Sequence, residues 1–189
     1  MRRICFDIGS SYFWNGKKGF LNHPSQARDA FENEPFKFYA ATTFDSSLRK
    51  FQDFTDVKKL FARLEKADEI ITFNGRTCDL IVMEKLLGYE TMKTIWCKPH
   101  HDLRGWRMNF ALKNAVRELL PDMVSSFDNV EQERLQDIRA SSIKSTFDPE
   151  FIISHLANTY RDTKFTYALF LEYLKSGNQE YTFREDWAS

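Results

Sequence analysis

Apolar and polar positions along this chain alternate between a period of about two residues and a period of three to four. Arg3–Ile8 has the short period, with Ile4, Phe6 and Ile8 on one face of a predicted strand. Tyr12–Trp14 and Lys17–Leu21 flank Asn15-Gly16, the signature of a tight hairpin. His23–Pro35 is polar and reads as a loop, and Phe36–Thr43 and Leu48–Phe54 read as strands around an Asp-Ser-Ser turn. The period then lengthens. Val57, Leu60, Phe61 and Leu64 make one apolar stripe on a helix predicted over Asp56–Lys66, with Thr55 or Asp56 as its cap. Glu69–Phe73 is a short apolar strand, Asp79–Leu87 a helix ended by Gly88, and Thr94–Cys97 a further strand. Phe110–Leu120, stopped by Pro121, and Glu131–Arg139 read as helices. Pro149–Tyr160 and Arg161–Lys175 read as one long helix or two consecutive ones, ended by Gly177. A strand meander followed by alternating strands and helices predicts one α/β domain over residues 1–177, a mixed central sheet flanked by helices, with a polar tail at 178–189.

Composition narrows this only a little. The 189 residues are 42% hydrophobic and include 18 Phe, 7 Tyr and 4 Trp, enough large side chains for a packed core. Formal net charge is zero, so composition supplies no electrostatic argument for nucleic acid. Cys5, Cys78 and Cys97 are odd in number and lack a CxxC pair, which argues against a disulfide framework or a zinc site. No apolar run approaches the length of a membrane span, and the expected setting is reducing and cytoplasmic.

Three acidic residues occupy informative places. Asp7 closes the first strand, Asp79 follows the strand and turn at Ile70–Gly75, and Asp162 lies in the last long stretch of helix. Each alone is an ordinary turn, cap or surface residue. Together they are able to converge at one sheet edge. Carboxylates so placed hold the Mg2+ or Mn2+ ions that stabilise the attacking and leaving oxygens of phosphodiester cleavage.

The segment Thr72-Phe73-Asn74-Gly75-Arg76-Thr77-Cys78-Asp79-Leu80 resembles the second motif of the DEDD-type 3'→5' exonuclease superfamily, with Cys78 where Phe is usual. Cys5-Phe6-Asp7-Ile8 resembles the first motif, and Tyr160-Arg161-Asp162 with Thr166 and Leu169-Phe170 the third. His101-Asp102-Leu103 is similar to the segment before the small helices in some branches, so the resemblance runs over about residues 3 to 176. It implies a ribonuclease H-like fold, Asp7, Asp79 and Asp162 as catalytic metal ligands for Mg2+ or Mn2+, and a nucleic-acid strand end as substrate. Two departures stand out. Gly9 replaces the Glu of the first motif, which normally helps hold the metals. Asn158 and Ala157 stand where the third motif carries Tyr or His. Asn158 is able to orient a water but not to act as a base at neutral pH, and His155 lies almost two turns from Asp162. An exonuclease-fold module without catalysis, binding nucleic acid or a protein, is therefore the alternative reading, and Glu32, Glu34 or Asp102 are acids that would substitute from elsewhere.

Asn74, Arg104 and Arg107 are the candidate substrate-binding residues. Both arginines belong to a basic stretch with Lys98, His100 and His101, interleaved with Trp96 and Trp106, a pattern that suits phosphate contact with base stacking and equally a solvated loop. Lys58, Lys59, Arg63 and Lys66 read as a solvated helix face. A rival from another class remains: Asp7-Ile8-Gly9-Ser10-Ser11 resembles the first phosphate loop of actin-like ATPases and sugar kinases, which would account for Gly9 but leaves the Phe73-Asn74-Gly75 segment unexplained.

Overall fold

The computed structural model describes residues 1–11, 23–30, 32, 35–106, 111–139 and 147–177. The hairpin expected over 12–21, Arg107, Glu34 and the expected tail at 178–189 lie outside the described residues. Among the described residues five strands, β1 (Arg3–Ser10), β2 (Phe38–Asp45), β3 (Lys50–Phe54), β4 (Glu69–Thr72) and β5 (His100–Asp102), form one mixed sheet in the order β3-β2-β1-β4-β5. The pairs β1–β2 and β2–β3 are antiparallel, while β1–β4 and β4–β5 are parallel. The helices are α1 (Pro24–Ala30), α2 (Val57–Leu64), α3 (Asp79–Leu87), α4 (Tyr89–Trp96), α5 (Leu103–Trp106), α6 (Leu112–Leu119), α7 (Val124–Arg139) and α8 (Pro149–Lys175).

The alternation of β1 divides the core into two layers. Ile4 and Phe6 face α2, α3 and α4 and pack with Leu60, Leu64, Leu80, Met83, Met92 and Ile95. Cys5 faces the other way, with Ile71 of β4, into a layer built from α6, α7 and α8 around Val116, Phe127, Phe165 and Phe170. Asp7 shares the parity of Cys5 and so turns toward α8. The sheet with helices on both faces is the α/β class expected from the sequence.

Several boundaries differ from that expectation. His23–Pro35 contains a helix, α1, whose Ala27 packs on Ile81. Thr94–Trp96 ends α4, with Cys97 as its C-cap, because Met92 and Ile95 are buried at helical spacing and the β-branched Thr94 and Ile95 do not decide the local structure. The strand after α4 is His100–Asp102, whose apolar content is too low to signal a strand. Helix α7 begins at Val124, seven residues before the expected start. The last helix is a single one of 27 residues, begun by Asp148, which accepts a hydrogen bond from the Phe151 N–H at 3.1 Å.

The hairpin β2–β3 and helix α2 meet at Asp45. Its buried carboxylate accepts hydrogen bonds from Arg2 Nε at 2.7 Å, Ser47 N at 2.8 Å, Ser47 Oγ at 2.6 Å and Leu48 N at 3.1 Å, and lies 2.9 Å from Arg63 Nη2. Burial alone would raise its pKa, but these donors outweigh burial and hold it at about 2. The folded value lies below the unfolded one of about 3.9, so the stabilisation is present above pH 4 and is lost as pH falls through 2. Its size is roughly 2 kcal/mol. The stability difference between wild type and Asp45→Asn, measured by urea denaturation, is expected to shrink by about that amount between pH 5 and pH 2.5. A difference independent of pH over that range would contradict this account.

Candidate functional site at the ends of the parallel strands

The carboxyl ends of β1, β4 and β5 open onto one edge, the position at which α/β sheets commonly bind ligands. Asp7 stands near the end of β1. Asp79 begins α3, on one face of the sheet, and Asp162 lies on α8, on the other. The register of α8 is set by buried hydroxyls: Thr42, the β2 partner of Asp7, bonds Thr159 Oγ1 at 2.9 Å, and Thr163 Oγ1 donates to the Thr42 carbonyl at 3.0 Å. This brings Asp162 alongside Asp7.

The loop from β4 to α3 places Asp79. Asn74 adopts a left-handed conformation, φ 70°, which Asn tolerates better than most residues. At Gly75 a Cβ would lie 2.5 Å from Thr72 Cβ, so the close approach requires glycine. Asp102, at the end of β5, accepts the backbone N–H groups of Asn74 at 2.6 Å, Arg76 at 2.9 Å and Arg104 at 3.3 Å. The Asn74 side chain donates to Cys78 Sγ at 2.9 Å and accepts from Thr77 Oγ1 at 2.8 Å and from Arg104 Nη1. Asn74, Asp102 and Arg104 therefore brace the loop from within, and the Asn74 amide is engaged there rather than turned to a pocket.

All three aspartates titrate above their usual range. Asp7 is raised well above its usual range, first by burial and then by the charges of Asp79 and Asp162. Asp79 is 7% exposed, and burial, Asp102 and Asp162 push it up to about 8. The Ile8 backbone N–H opposes both shifts, so the two carboxylates meet at one amide. Asp162 is raised by burial, with Glu131 adding to the shift. Its nearest partner is Arg161, whose Nε is 2.7 Å from Asp162 Oδ1 and whose Nη1 bonds Glu131 Oε2. The guanidinium also lies over the Phe127 ring, 4.9 Å from its centroid. Burial disfavours the charge on Arg161, but Asp162, Glu131 and Asp7 outweigh burial and raise its pKa. A cation supplied by the chain itself thus sits among the acids.

These oxygens are of the hard type that suits magnesium or manganese. Among the described residues, no three His, Cys, Asp or Glu side chains form a group able to hold a metal ion. Gly9 shows one reason. A Cβ there would lie 2.9 Å from His155 Nδ1 and 3.3 Å from His155 Cβ. The imidazole of α8 fills the space into which a first-motif Glu would project. Asn158 is half-buried on the α8 face that carries Asp162. Glu32 lies in an exposed turn, and its carbonyl accepts from Lys85.

The basic stretch at residues 98–104 does not form a patch. Lys98 Nζ donates to the carbonyls of Glu65 at 3.0 Å and Ala67 at 2.6 Å. His100 is buried on Thr72 Oγ1 at 2.7 Å, with burial lowering its pKa to about 3, and His101 is buried 3.5 Å from Glu69. Trp96 donates to Glu84 at 2.6 Å. Strand alternation and the need to satisfy helix ends scatter these side chains. The Gly9–Ser11 segment continues the strand rather than forming a phosphate-cradling turn, since Ser11 N donates to Lys37 O at 2.9 Å. Sequence reasoning gave neither Arg161 nor Glu131 a role at the site. Arg161 adjoins Asp162, which is a local hint, whereas Glu131 becomes a neighbour only through the packing of α7 on α8.

No protein-family model matches the chain, and no curated protein matches it significantly.

Because the folded pKa of Asp79, about 8, exceeds the usual value of 3.8, this group's contribution to stability is lost as pH rises between those values. Asp79→Asn is expected to stabilise the protein at pH 7.5 by more than about 1 kcal/mol and to have much less effect at pH 4. Thermal melts across that range measure this, and equal effects at both ends would contradict it.

Proposed function

We propose that this chain is an exonuclease-type domain of ribonuclease H-like fold that binds the end of a nucleic-acid strand without hydrolysing it. The fold part of this reading is supported by the sheet order, an antiparallel trio followed by two parallel strands, with a long final helix across one face. The Phe73-Asn74-Gly75 loop leading to Asp79, and the approach of Asp79 and Asp162 to Asp7, agree with it. The observation that carries the absence of hydrolysis is Arg161. Its guanidinium, held between Asp162 and Glu131, already neutralises part of the acidic edge. Displacing it would leave Glu131 and Asp162 without their partner, a strongly unfavourable step for half-buried charges.

A second reading, hydrolysis with Mg2+ or Mn2+, is favoured by the like charges of Asp79 and Asp162 acting on Asp7 and of Asp102 and Asp162 acting on Asp79, which add to burial in raising both groups. A divalent ion would relieve that repulsion, and Asp7, Asp79 and Asp162 would be its holders.

End-labelled single-stranded DNA and RNA, incubated with Mg2+ or Mn2+, distinguish the two. Wild-type protein is expected to leave both intact. Stepwise shortening that disappears in Asp79→Asn would overturn the non-hydrolytic reading. The packing at Gly9 adds a structural check. Gly9→Glu alone is expected to destabilise the fold by about 1–3 kcal/mol through overpacking against His155, and His155→Ala is expected to relieve much of that loss.

A further inference from the structure

A cavity of about 510 Å3 lies between β3 and α2, lined by Gln52, Asp53 and Phe54 of the strand, by Lys59 and Arg63 of the helix, and by Lys66 just beyond it. That volume is in the range of small-molecule sites. Asp7, Asp79 and Asp162 are not among its walls. Lys59 and Arg63 are one helical turn apart, and Lys66 follows in the turn that closes α2, where its N–H donates to the Arg63 carbonyl at 3.2 Å. The charge run that reads as a solvated face from sequence thus sends three of its four members to one cavity.

The acids of the wall are spent on the fold. Asp53 Oδ1 accepts from Thr42 Oγ1 at 2.9 Å, and its Oδ2 is paired with Arg134. Asp56, also in the wall, caps α2 by accepting the Lys58 N–H at 2.8 Å. The bases are not spent in this way. Lys59 and Lys66 are exposed and have no ion pair among the described residues. Arg63 meets Asp45 through Nη2 at 2.9 Å, but Asp45 also takes Arg2 Nε at 2.7 Å. Two guanidiniums therefore share one carboxylate, and the buried Nε of Arg63 has no acceptor among the described residues. Burial and the neighbouring charge of Arg2 both act against the charge of Arg63. The wall carries positive charge that the fold does not compensate.

We infer that this cavity binds the phosphate group of a small phosphomonoester, with Lys59, Arg63 and Lys66 as its cationic contacts. The ligand class follows from the charge. A phosphomonoester carries close to two negative charges at about pH 7 and offers several acceptor oxygens to N–H donors. A backbone phosphodiester carries a single charge and matches such a cluster less well. Gln52 offers a neutral amide and Phe54 an apolar surface to the remainder of the molecule. The inference does not depend on what the acidic edge does.

Isothermal titration calorimetry with inorganic phosphate and with phenyl phosphate, at an ionic strength held constant with chloride, tests it. Wild type is expected to bind both. Replacing Lys59 and Lys66 together by Gln is expected to weaken both about tenfold or more, whereas Lys58→Gln, on the same helix but outside the cavity, changes them by less than about twofold. The melting temperature of the double variant is expected to match that of wild type, because both lysines are exposed. A single-stranded oligonucleotide without a terminal phosphate is expected not to displace phenyl phosphate. If neither compound binds wild type, or if Lys58→Gln weakens binding as much as the double substitution, the site is overturned. Displacement by the oligonucleotide would also overturn it, since the cavity would then take a nucleic-acid backbone and not a phosphomonoester.

Discussion

The seating of α8 on the sheet through Thr42, Thr159 and Thr163 is the constraint on which the rest of the molecule depends. Thr42 and Thr159 join β2 to α8 through their buried hydroxyls, and the buried Thr163 hydroxyl bonds the Thr42 carbonyl of the strand paired with β1, where it would be costly to leave without a partner. A helix of 27 residues anchored at its middle carries everything else with it. Asp162 arrives beside Asp7, and His155 arrives on Gly9. Phe151 is left at the open end next to Tyr39. Sliding α8 by one turn would separate the acids and place a different side chain on Gly9.

The acidic edge poses an electrostatic problem. Burial raises the pKa values of Asp7, Asp79 and Asp162, and the charges of Asp79 and Asp162 add to the rise at Asp7. One remedy is an external divalent cation. The chain supplies another in Arg161, fixed by Asp162, Glu131 and the face of Phe127. A guanidinium already bonded in this way is planar, permanently charged and costly to remove, so its presence changes what the same three aspartates do. The absence of a side chain at Gly9 leaves space that His155 fills.

Neighbouring residues in the loop before α3 have structural duties of equal weight. Asn74 looks from its motif like a pocket residue, yet its amide is consumed by Cys78, Thr77 and Arg104. Asp102 looks like a spare acid, yet it collects three backbone amides. Polar residues at a strand end must first satisfy the orphan groups of the turn that follows, and only what remains is available to a ligand.

Local pattern determined a good deal by itself. The alternation of Ile4, Phe6 and Ile8, the stripe of α2 and the limits of α3 are written in residue spacing, because each element buries one face and the period records it. The same spacing placed Asp7 and Asp79 at element ends and Asn158 on the face of Asp162. It misled at Thr94–Cys97 and at His23–Pro35, where burial against distant residues overrode local preference, and it missed β5, a strand of two histidines and an aspartate. Tertiary structure decided the chemistry of the edge. Glu131 reaches Arg161 across thirty residues of sequence, and His155 meets Gly9 across a far longer separation. Charge compensation and space filling depend on distances through the fold, which residue spacing along the chain does not encode.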